Sequence, residues 1–197
     1  GPVQVRYGGS AAHNRVVANL DKLIDKDKQV LTSITGEIRT DYGKGIYTVN
    51  APRCQGAAGF LARQPQIDLG DVAIRCRNAY ASLVVVPLDD QALGRSRKVL
   101  VQVGTVARPS GWVSRGRRLE AGGKTHDGFQ IMRKGDEPLL IEKTAAEVEI
   151  ANDALSKATA LDANGQPMDV PVAVRRQGGR LIVALPPDAL YTIVSEK

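Results

Sequence analysis

The chain has 197 residues, 43% of them apolar, and carries 27 basic against 21 acidic residues for a formal net charge of +6. That length suits one large all-β domain or two small ones. Five Tyr, two Phe and one Trp are too few for a protein that holds nucleic acid chiefly by stacking bases, and two cysteines exclude a disulfide-dense miniature scaffold.

No apolar run approaches the roughly 20 residues that span a bilayer, and no signal peptide is visible. The opening Gly1-Pro2 matches the scar left when a protease removes a tag. On that reading the chain is part of something longer, and its own export signal lies outside it.

Apolar residues recur with period two almost throughout, the pattern of half-buried strands. Val3, Val5 and Tyr7 alternate with Gln4 and Arg6 before Gly8-Gly9-Ser10 stops them. Residues 14–27 fit either a short amphipathic helix through Val16, Val17, Leu20, Leu23 and Ile24, or a strand followed by a charged turn. Residues 36–50 read as a hairpin. Ile38, Thr40 and Tyr42 alternate on one arm and Ile46 and Thr48 on the other, around Gly43-Lys44-Gly45, where glycine supplies the positive φ of a tight turn. Pro52 ends it, because proline has no N–H for the ladder.

Further strands are expected at 56–61, 72–76, 80–87 and 99–106. The run Leu83-Val84-Val85-Val86 reads as buried on both faces, as in the middle of a sheet. Residues 108–127 break the alternation. They hold four glycines, the only Trp and a basic knot of Arg115, Arg117 and Arg118 followed by Lys124, and they read as a long solvated loop or a pair of ragged strands. Strands resume at 129–132, 139–142 and 146–150. After residues 158–161 comes Asn164-Gly165, a favoured turn pair. Val170, Val172 and Val174 alternate, Gly178-Gly179 turns the chain, and Leu181, Val183 and Leu185 return it before Tyr191, Ile193 and Val194.

Short strands separated by turn signals predict an all-β antiparallel sandwich, of jelly-roll or immunoglobulin-like type, with little helix. The whole of 1–197 reads as one such domain, with a smaller β subdomain from about residue 136.

The residues assemble no self-sufficient catalytic site. Ser96 and Ser110 lack the glycine frame of a nucleophile elbow. Cys54 has the neighbouring cation Arg53, which favours thiolate, but a small residue packed at a strand end is the plainer account. Glu37, Asp41, Asp68, Asp71, Asp89 and Asp90 are carboxylates of the kind that work in pairs on glycosides, with nothing to bring two of them into a cleft. His13 and His126 cannot complete a four-ligand zinc site with Cys54 and Cys76. No cofactor is expected beyond calcium, for which the loop from Asp162 to Asp169 offers several oxygens. The candidate ligand-binding residues are Tyr42 and Tyr47 at the hairpin tip, Trp112 in the irregular segment, and Arg115 and Arg117 beside it. Exposed rings are common anchors for a ligand.

Several of these stretches together resemble a known type of domain. Thr35-Gly36-Glu37-Ile38-Arg39, Asp41-Tyr42-Gly43-Lys44-Gly45 and Val49-Asn50-Ala51-Pro52-Arg53 are followed by Gln55-Gly56, by Pro87-Leu88-Asp89-Asp90-Gln91 and by Ser96-Arg97-Lys98-Val99-Leu100-Val101-Gln102. Ala160-Leu161-Asp162-Ala163-Asn164-Gly165 and Leu185-Pro186-Pro187-Asp188 close the series. The set resembles the C-terminal β-sandwich accessory domains of large bacterial proteins of glycoside hydrolase type. Thr40 stands where those domains have Trp, and Cys54 where they have Thr.

The resemblance implies a non-catalytic, carbohydrate-binding or accessory domain of a secreted or periplasmic polysaccharide-degrading protein. Its expected partners are a polysaccharide or oligosaccharide and a catalytic domain of the same parent chain, with no nucleic acid and no membrane span. Two alternatives stand beside it: a free-standing glycan or ester hydrolase, and a structural or adhesion module working through protein contacts.

Overall fold

A computed structural model describes residues 7–10 and 20–196. The expected strand at 3–7 lies outside them except for Tyr7, as do His13 and residues 11–19. Of the segment read as helix or strand, the described part is a 3-10 turn at Leu20–Leu23 running into a two-residue strand.

The strands in chain order are β1 Ile24–Asp25, β2 Val30–Thr32, β3 Ile38–Asp41, β4 Ile46–Ala51, β5 Cys54–Gly59, β6 Ile67–Asp68, β7 Val72–Cys76, β8 Ala81–Pro87 and β9 Lys98–Thr105. They continue as β10 Ala107–Ser110, β11 Val113–Ala121, β12 Lys124–Arg133, β13 Asp136–Ile141, β14 Ala146–Ile150, β15 Lys157–Leu161, β16 Val174–Gln177, β17 Arg180–Ala184 and β18 Tyr191–Ser195. Among the described residues helix is confined to short 3-10 turns, and the fold is all-β and antiparallel, as the alternation predicts. Among the described residues no helix is long and apolar enough to cross a membrane.

The chain forms two compact units, one of Gly1–Gly104 with Thr144–Lys197 and the other of Thr105–Lys143. The first is a sandwich. A nine-stranded sheet runs β1-β2-β3-β4-β5-β8-β9-β18-β15, and a five-stranded sheet runs β16-β17-β14-β7-β6. Each sheet buries every second side chain. Leu83 and Val85 of β8 and Val99, Val101 and Val103 of β9 join Val72 and Ile74 of β7, Val148 and Ile150 of β14 and Val183 of β17 in one aliphatic core. Each such side chain contributes roughly 1.5–3 kcal/mol by leaving water.

The run at 83–86 is not buried on both faces. Leu83 and Val85 point into the core while Val84 and Val86 are half-covered. Strand β8 lies inside the sheet between β5 and β9, but the sheet carries a packed layer on one face there.

The expected hairpin forms, with Ile38 opposite Val49 and Asp41 opposite Ile46, and Asp41 Oδ1 accepts the Lys44 N–H at 2.9 Å across its turn. The alternation of Val170, Val172 and Val174 is not a continuous strand. β16 begins only at Val174, because Pro171 has no N–H to give a ladder, yet Val172 and Val174 still pack against the core.

The second unit holds two ribbons, β10 with β13 and β11 with β12. Strand β13 pairs with β10, Ile141 opposite Ala107 and Leu140 opposite Arg108. Residues on both sides of 136 therefore share one inserted unit, and the division falls at 105 and 143 rather than at a C-terminal subdomain from about 136. Chain entry and exit lie side by side, since the Glu142 N–H donates to the Val106 carbonyl at 2.9 Å.

Candidate functional site: a ribbon with two unlike faces

Of the two readings of residues 108–127, the strands form rather than the long loop, with register shifts at Pro109/Ser110 and Val113/Ser114. Gly122 and Gly123, at φ +58° and +72°, make the two-residue turn whose twist matches flanking strands. On either side β11 and β12 pair without interruption from Ala121–Lys124 back to Ser114–Ile131. Directly opposed residues of an antiparallel pair share a face. One face therefore carries Arg115, Arg117, Leu119, His126 and Gln130, with Lys124 beside the turn. The other carries Arg118, Glu120, Thr125, Asp127, Phe129 and Ile131.

Side-chain contacts respect this division. Arg117 Nη1 donates to Gln130 Oε1 at 3.4 Å on the first face. On the second, Arg118 Nε lies 3.8 Å from Asp127 Oδ1, and Thr125 donates to Glu120 at 2.6 Å. Both carboxylates of the ribbon thus stand with Arg118, and the face bearing Arg115, Arg117 and Lys124 has only cationic and neutral groups. Every residue of β11 is exposed.

The sequence-predicted residues divide between the two units. Arg115 and Arg117 come together on the cationic face. Trp112 sits in the turn before the ribbon, where its backbone N–H donates to the Pro109 carbonyl at 3.1 Å. It is half-buried, and the Arg108 guanidinium lies 5.0 Å from its ring centroid, so one ring face is already covered by a cation.

Tyr42 and Tyr47 belong to the sandwich. Both are partly exposed. Tyr47 stands opposite Thr40 and Ala58, while the Tyr42 N–H donates to the Gln29 carbonyl at 2.9 Å.

The aromatic cluster at this hairpin tip is one the sequence reading missed. Phe60 and Tyr80 meet edge to face, with centroids 5.3 Å apart. They directly extend the β5–β8 pairing beyond Gly59–Ala81. Phe60 fills the space over Gly45, where a Cβ would lie 2.7 Å from its ring. Arg63 caps it, its guanidinium 4.1 Å from the Phe60 centroid and donating to the Lys44 carbonyl at 3.0 Å. No local motif signals this pair; only knowledge that β5 and β8 are neighbours does.

The other chemistry-bearing residues are occupied in turns and clamps. Asp89 accepts the N–H groups of Arg97 and Gln91 at 2.9 and 3.1 Å, and those donors, Arg97 foremost, hold its carboxyl below the usual range. Asp162 Oδ1 accepts the N–H groups of Asn164 and Gln166, each at 2.8 Å. Arg53 reaches away from Cys54 to the Asp89 carbonyl at 2.9 Å and to Asp90 at 3.5 Å, and burial pushes the Cys54 thiol up. No disulfide joins Cys54 to Cys76. Among the described residues no three His, Cys, Asp or Glu side chains are gathered where they could hold a metal ion.

One charged depression of about 270 Å³ is lined by Arg75, Glu149, Arg180 and Ile182, and its Arg75 and Glu149 pair with each other. Comparison with known proteins finds no matching family model, no matching curated protein and no matching solved structure.

Proposed function

We propose that this chain is a non-catalytic accessory module of a secreted or periplasmic polysaccharide-degrading protein, and that it contributes a glycan-contacting surface. The observation that carries the reading is the β11–β12 ribbon. It spans nine opposed residue pairs, about 30 Å at the rise of an extended strand, yet it contributes nothing to the aliphatic core. A two-stranded ribbon is marginal on its own in water. A segment of this length that stabilises no core is best explained by what it touches outside.

The resemblance to C-terminal sandwich domains of glycoside hydrolase-type proteins supplies the carbohydrate context. The filled sandwich interior suits a scaffold that presents such a surface. The test is binding of the full chain to a panel of soluble polysaccharides, read by affinity electrophoresis, alongside a turnover assay on the same panel. Retardation without reducing-end release is the expected result. Turnover by the chain alone would replace this reading with that of a free-standing hydrolase.

A further inference from the structure

We infer that the Arg115–Arg117–Lys124 face of the ribbon is a binding site for a polyanionic glycan, one bearing carboxylates along its length. This deepens the proposed function and rests on it.

The argument starts from how charge is distributed. Protein surfaces ordinarily mix both signs, and the sandwich does so by pairing: Arg75 with Glu149, Arg175 with Glu147, Arg176 with Asp153 and Arg53 with Asp90. The ribbon separates them instead. Its carboxylates, Glu120 and Asp127, lie on the face of Arg118, and among the described residues Arg115, Arg117 and Lys124 have no ion pair.

Segregation of this kind costs stability, because like charges on neighbouring strand positions repel. A chain that tolerates it gains only when a partner of opposite sign arrives. The geometry suits a linear partner. Side chains two residues apart on one strand face are spaced roughly 7 Å, and the stretch from Arg115 to the Lys124 pair covers about 20 Å. That is a line of cations along one face, with the Leu119 side chain lying over Gly128 and Gln130 bonded to Arg117.

A glycan is favoured over single-stranded nucleic acid because Phe129, the ribbon's only phenyl ring, stands on the opposite face. The cationic surface carries one ring, the His126 imidazole, and no row of rings on which successive unpaired bases could stack. Carboxylates spaced along a polymer match the guanidinium fork, which takes two oxygens at once.

The experiment uses the full chain and three probes: polygalacturonate, the same polymer fully methyl-esterified, and duplex DNA. The expected result is binding to polygalacturonate that weakens as salt rises, with a log–log slope of about −2 for two to three cationic contacts, and no binding to the ester. Arg115→Gln with Arg117→Gln should weaken binding about tenfold. Arg118→Gln, which removes charge from the other face, should change it by less than about twofold. All three substituted positions are exposed, and circular dichroism checks that the variants keep the strand signal.

Equal binding of the esterified polymer, unaffected by the Arg115/Arg117 change, overturns this inference and leaves the accessory-module reading standing. Binding to no glycan in either this experiment or the polysaccharide panel overturns both. Tighter binding to duplex DNA than to polygalacturonate overturns the assignment of the ligand.

Discussion

Gln55 and Val72 tie the two sheets of the sandwich together. The Gln55 side-chain oxygen, on β5 of the nine-stranded sheet, accepts the Val72 N–H at 2.9 Å and the Asp71 N–H at 2.8 Å at the start of β7 in the facing sheet. Only 2% of Gln55 is exposed and the Val72 bond is buried with it, so the Val72 amide has no water as a substitute, while the Asp71 amide is part-buried. Replacing Gln55 by Leu keeps most of the bulk and strands one buried and one part-buried donor. The expected loss is about 1–3 kcal/mol, read as a lower urea midpoint with an unchanged slope. An unchanged midpoint would show that the amides find other acceptors.

The sandwich should fold without the inserted unit. Its core draws on residues up to Val103 and again from Ala146, and none of residues 105–143 belongs to it. Because Glu142 and Val106 are hydrogen-bonded neighbours, a short glycine-serine bridge can replace 105–143 with little loop strain. The shortened protein is expected to unfold cooperatively near the parent's temperature. A core substitution gives the contrast: Leu83→Ala, at a site 2% exposed, should cost about 2–5 kcal/mol. Failure of the shortened chain to fold would make the insert part of the stability of the whole.

Cys54 should behave as a sluggish thiol. Burial raises its pKa, and thiolate is the reactive form. Alkylation by iodoacetamide is therefore expected to be slow at neutral pH and to rise only above the pH at which an exposed cysteine already reacts. The Cys54→Ser variant, with Cys76 buried in the core, should be nearly inert until unfolded. Fast labelling of Cys54 at pH 7 would restore the influence of Arg53 that its contacts with Asp89 and Asp90 remove.

The connection between β8 and β9 carries its own pH dependence. The Asp89 carboxylate is stabilised by the N–H groups of Arg97 and Gln91, so its folded pKa lies below the unfolded one. The contribution is complete above the unfolded value and is lost as pH falls through the depressed folded value. Amide exchange at Arg97 should accelerate in that acidic window, relative to amides of β9. Asp89→Asn should remove the pH dependence, because its side chain does not titrate, although its single oxygen can keep only one of the two bonds.

Alternation made the sandwich legible wherever one face of a strand is buried. Val99, Val101 and Val103, or Ala146, Val148 and Ile150, announce themselves because the core selects apolar groups at every second position. The glycine turns at 43–45, 164–165 and 178–179 were equally readable, since only a few residue types enter the left-handed region without strain. The ribbon was misread for the same reason that the core was readable. Strands β11 and β12 bury neither face, so no selection imprints a period of two in hydrophobicity, and Arg115 and Arg117 looked like a solvated loop. Gly122-Gly123 was the usable signal.

Local sequence determined the strands, the turns and the aliphatic character of the interior, because these follow from the steric limits of one residue and its near neighbours. Tertiary structure alone decided which strands became neighbours. It set Phe60 against Tyr80 and brought the Gln55 side chain to the Val72 amide. Those outcomes depend on register between distant segments, and a shift of a single residue would have moved each side chain to the other face.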